Sequence, residues 1–62
     1  MKTTKRTTYS MTELKAWFGK EAWQNAINYI KRITGITDDY EAWDTADTYQ
    51  ILFLEDGTPA NT

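Results

Sequence analysis

The sequence predicts a small α+β domain, in which two helices at about 11–18 and 20–34 precede a β-hairpin at about 39–45 and 48–55. Three observations predict it. YSMTEL carries a complete helix-start signal, helical apolar periodicity runs on to Ile33, and TYQILFLED is rich in the aromatic and branched side chains that suit a pleated strand. A chain of 62 residues forms one domain, and at that size only about 60% of the unfolded surface is buried. Three Trp, four Tyr and two Phe are therefore needed largely for the core, each able to bury roughly 150–250 Å².

The chain divides into a basic arm at 1–8, the domain at 9–56 and a frayed tail at 57–62. MKTTKRTT offers no apolar anchor after Met1 and reads as a mobile arm or as an edge strand supported by β-branched threonines. The first helix starts at Ser10, whose hydroxyl can cap it while Glu13, three residues on, closes a capping box and Tyr9 staples onto Leu14. This role accounts for the only serine in the chain.

At 100° per residue, Leu14, Trp17 and Phe18 point one way, whereas Trp23, Ala26, Ile27, Ile30 and Ile33 cluster about 140° around the axis. One straight helix cannot bury both stripes. Gly19 is the natural break, and Gly35 ends the second helix after Lys31 and Arg32 have complemented its dipole.

Beyond Gly35, TDDYEAWDTAD is open to two readings. It can be a helix capped by Thr37 with acids in its first turn, or it can supply YEAWDT as the partner strand for TYQILFLED. The hairpin is the favoured expectation because a lone strand needs a partner, with TKRTTY as the alternative one. EDGTPANT reads as a turn and tail.

Charge is distributed unevenly. Residues 1–32 hold all seven Lys and Arg against Glu13 and Glu21, a charge of +5, whereas residues 33–62 hold seven acids and no base, a charge of −7. Attraction between the halves is the plain explanation. With no His, the commonest general base near neutral pH is missing, and an enzyme is not expected. With no Cys, disulfides and thiolate metal sites are excluded, which fits an intracellular, cytoplasmic setting. The longest apolar run, Ile51–Leu54, is too short to cross a bilayer, and no signal segment leads the chain.

The candidate site follows from the acidic half. Asp38, Asp39, Glu41, Asp44 and Asp47, interleaved with Tyr40 and Trp43 and followed by Tyr49, can offer aromatic contact area and steering charge to a protein with a basic surface, or imitate a phosphate pattern. The expected function is thus a non-catalytic protein-binding accessory or regulatory module without a cofactor. The plainer role for the same residues is to complete the core and keep the chain dissolved. The alternative function is nucleic-acid binding through Lys2, Lys5 and Arg6 of the arm, extended by Lys31 and Arg32. Asp44 and Asp47 are the best carboxylate pair for a metal, but DDYEAWDTADTY lacks the alternation and central glycine of a calcium loop. Paired carboxylates acting on a sugar would need a shaped cleft, which a domain this small has little room to build.

Overall fold

The computed structural model describes residues 8–60 and consists of three helices followed by an irregular C-terminal segment. Among the described residues there is no strand, so the expected α+β class with a hairpin at 39–45 and 48–55 is overturned. The expected basic arm and edge strand fall largely outside the described residues.

Helix α1 begins with one α-helical turn, Met11–Glu13, and continues as a π-helical stretch, Leu14–Phe18. Its start is a capping box: the Glu13 N–H donates to Ser10 Oγ at 3.2 Å and the Ser10 N–H donates to Glu13 Oε1 at 3.0 Å. The π stretch closes when the Gly19 N–H donates to the Leu14 carbonyl at 3.0 Å, a five-residue step. The wider turn rotates residues after Leu14 relative to an α-helix. Leu14, before the rotation, is fully buried, while Trp17 is 59% exposed and Phe18 40%. Both rings pack edgewise on Tyr9, with centroids 6.0 and 4.8 Å away.

Gly19 adopts φ 102° and ψ 178°, a conformation that is essentially confined to glycine. This single residue redirects the chain into α2, Lys20–Thr34. Helix α2 buries Ala22, Trp23, Ala26, Ile27 and Ile30, but Ile33 leaves the stripe and is 54% exposed. The helix stops at Gly35, in the left-handed region, where its N–H donates to the Lys31 carbonyl at 2.9 Å.

Residues expected to form the first hairpin strand instead form α3, Asp39–Thr48. Asp38, not Thr37, is the cap, with Oδ2 accepting from the Glu41 N–H at 2.8 Å. Acids at Asp39 and Glu41 complement the N-terminal dipole. Ala42 and Ala46, four residues apart, form a small-residue stripe that is fully buried. A strand would have sent these two alanines and the intervening Asp44 to one face, placing a carboxylate in the core. Helical spacing separates them.

Helix α3 ends in a Schellman turn whose left-handed residue is Gln50, at φ 56°. There, the Gln50 N–H donates to the Asp47 carbonyl at 3.1 Å and the Ile51 N–H to the Ala46 carbonyl at 2.9 Å. The chain then runs back across the helices. Phe53, the largest fully buried side chain, exchanges both backbone bonds with Tyr9 at 2.8 Å each. Its flanking residues bond to the chain end, the Leu54 N–H to the Thr58 carbonyl at 2.7 Å and the Ala60 N–H to the Leu52 carbonyl at 3.1 Å. These are isolated antiparallel bridges, Tyr9 to Phe53 and Phe53 to Pro59. The expected partner strand YEAWDT contributes nothing to them. Gly57 seats this segment against α2, where the Asn25 side chain donates to the Asp56 carbonyl at 3.0 Å.

Candidate functional site

Because Ala42 and Ala46 face inward, helical geometry turns Tyr40, Glu41, Asp44, Asp47 and Thr48 outward, and all five are exposed. Tyr40 is 67% exposed. Its ring lies 6.0 Å from Trp43, tilted by 31°, and 6.2 Å from Trp23 of α2. Trp43 and Trp23 meet edge to face at 5.3 Å. The Nζ of Lys15 stands 5.0 Å from the Trp23 ring centroid. Trp23 is only 3% exposed, and its indole N–H finds no hydrogen-bond partner.

The carboxylates expected to act together have separate roles. Asp38 caps α3. Asp39 forms an ion pair with Lys31 at 2.8 Å, and this hydrogen-bonded ammonium holds the Asp39 carboxyl below the usual carboxylate range despite some desolvation. Asp47 Oδ2 accepts from the Thr12 hydroxyl at 2.6 Å, while Thr12 Oγ1 accepts from the Trp43 indole at 3.1 Å. Thr12 thereby ties α1 to α3. Among the described residues Glu41 and Asp44 make no ion pair or side-chain hydrogen bond, which sets these two apart from the other three α3 carboxylates.

No local pattern marks Thr12, because its partners lie 31 and 35 residues further along the chain. Tyr49, 73% exposed, lies beyond the end of α3 and borders a different feature, an open groove of about 500 Å³ that Tyr29, Ile33, Ile51 and Leu52 also line. In the C-terminal turn, the backbone N–H and hydroxyl of Thr58 donate to Asp56 Oδ1 at 3.0 and 2.8 Å, lowering the Asp56 pKa.

For the nucleic-acid alternative, Lys31 is engaged with Asp39 and Arg32 is exposed, while Lys2, Lys5 and Arg6 lie outside the described residues. No group of three His, Cys, Asp or Glu side chains able to hold a metal forms among the described residues. No helix among them is long and apolar enough to cross a membrane. Comparison with protein-family models, curated proteins and solved structures returned no match.

Proposed function

We propose that the protein is a non-catalytic protein-binding module of the cytoplasm and that the outer face of α3 receives a basic partner. The observation that carries this reading is the exposed Tyr40 ring on the same helical face as Glu41 and Asp44, whose charges no cation of the described chain neutralises. An aromatic ring supplies contact area at little entropic cost. Unpaired carboxylates around it speed encounter with a positive surface and reject a negative one. Lys31 with Asp39 is the only ion pair among the described residues, so attraction between the basic and acidic halves leaves much of the α3 charge available.

The test compares the wild-type chain with Glu41→Gln/Asp44→Asn as bait in cell extract at low salt. Among the described residues neither substituted side chain makes a hydrogen bond or ion pair that the change would break, unlike Asp38, Asp39 and Asp47. The expected result is a specific basic protein that the wild type retains, the double variant loses and rising salt releases. Equal retention by both baits, with far-UV circular dichroism showing both folded, would overturn the reading.

A further inference from the structure

The rings around α3 narrow the chemistry of the partner. Trp23, Trp43 and Tyr40 form one continuous cluster with centroid separations of 5.3–6.2 Å. The chain already places one cation on this cluster, the Lys15 ammonium over Trp23. At its solvent edge Tyr40 is 67% exposed, and no cation of the described chain stands over its ring. Asp44 follows Tyr40 by four residues, one turn along the same face. Resting on the reading of α3 as a protein-binding face, we infer that this exposed end is an arginine-binding site: a partner's guanidinium stacks on Tyr40 and engages the Asp44 carboxylate through its N–H fork.

One property of the site and two of the cations select arginine over lysine. Tyr40 and Trp43 lie within 31° of parallel with centroids 6.0 Å apart, and the exposed Tyr40 face suits a planar, weakly hydrated group. A guanidinium presents N–H donors at its rim while its face stays on the ring, which lets one side chain satisfy ring and carboxylate together. Lysine carries a compact, strongly hydrated charge and must divide it between them. Charge favours either cation equally, since Glu41 and Asp44 are both unpaired and the chain holds no base after Arg32.

The experiment titrates the full-length protein with end-blocked peptides of alternating Gly and Arg, and with Gly/Lys peptides of equal length and charge, following backbone amide shifts by NMR at low salt. The Arg peptide should shift residues around Tyr40 and Asp44 and bind about two- to fivefold more tightly than the Lys peptide, the range of one exposed cation–π contact. Tyr40→Phe should keep that preference. Tyr40→Ala and Asp44→Asn should each weaken the Arg peptide more than the Lys peptide and so narrow the preference, and the double variant should bring the two peptides to equal affinity. Equal affinities on the wild type would overturn the arginine site while leaving a general basic-partner surface standing. Absence of shifts with either peptide would overturn both. Shifts at Tyr40 that grow with protein concentration alone would assign the face to a second copy, against the proposal.

Discussion

Gly57→Ala should be the most damaging single-methyl substitution among the glycines, and its size can be worked from two separate costs. The first is conformational: Gly57 has φ 94°, and a side chain held in such a region costs about 1–3 kcal/mol. The second is steric, because the new Cβ would press on the Ala22 carbonyl oxygen while lying 2.7 Å from Asn25 Cβ and 3.1 Å from the Ala26 nitrogen. Two of these neighbours are helix backbone and cannot rotate aside, so overpacking adds about 1–3 kcal/mol. Alanine's stiffer unfolded chain returns roughly 0.4–1 kcal/mol. The net loss is about 1–5.5 kcal/mol, against a total stability of roughly 3–9 kcal/mol for a chain of this length. Gly19→Ala is the control, since φ 102° imposes a similar conformational cost but nothing lies within 4 Å of the added methyl. Urea unfolding followed by far-UV circular dichroism measures both, with sucrose added if Gly57→Ala is unfolded in water. Equal losses for the two variants would refute the close seating of the C-terminal turn on α2.

Gln50→Gly should raise stability by about 0.5–1 kcal/mol, because relieving a left-handed residue returns roughly 1–2 kcal/mol and glycine's freer unfolded chain takes part of it back; a lower melting temperature would contradict the turn at φ 56°. Thr12→Val should cost about 1 kcal/mol and be non-additive with Trp43→Phe in a double-mutant cycle, since both remove the 3.1 Å bond. Acidification should also report on two carboxylates. Lys31 lowers the pKa of Asp39 and the Thr58 donors lower that of Asp56, so their stabilisation is present above the unfolded value of about 3.9 and is lost as pH falls through the lower folded values. Asp39→Asn and Asp56→Asn should each lose less melting temperature between pH 5 and 2 than the wild type does; an unchanged slope would count against the bonded geometry.

The parts of the fold written in local chemistry were legible in the sequence. Ser10 and Glu13 satisfy one another within a single turn, and Gly19 and Gly35 occupy backbone conformations that favour glycine. The third helix was legible only as the less favoured of two readings, since its apolar face is only Ala42 and Ala46 with the flank of Trp43, too thin a stripe to outweigh the strand-like composition of Tyr49–Leu54. That composition was not misleading about extension. Phe53 does pair antiparallel, with Pro59 across the Gly57 turn and with Tyr9, the last residue of the alternative partner TKRTTY, and no local pattern chose that distant partner over the adjacent YEAWDT. The π stretch was hidden for a different reason, because one additional residue in a turn leaves no compositional mark, and it moved Trp17 and Phe18 out of the expected core. At the site, residue types suggested an acidic-aromatic face, but only the side-chain bonds separated Glu41 and Asp44 from carboxylates already occupied by capping, ion pairing and the Thr12 link.

The pairing of Phe53 with Tyr9 has a consequence for the order of events during synthesis. Helices α1 and α2 can close their own hydrogen bonds as soon as their residues emerge, on a microsecond scale. The largest fully buried side chain, however, arrives near the end of the chain and must find a backbone partner made at its beginning. Until then Met11, Leu14, Ile27 and Ile30 share a core that lacks its lid. Translation adds roughly 5–20 residues per second, so this apolar surface persists for a second or more, far longer than helix formation takes. Those four side chains are therefore available for contacts with other molecules until Phe53 arrives to cover them.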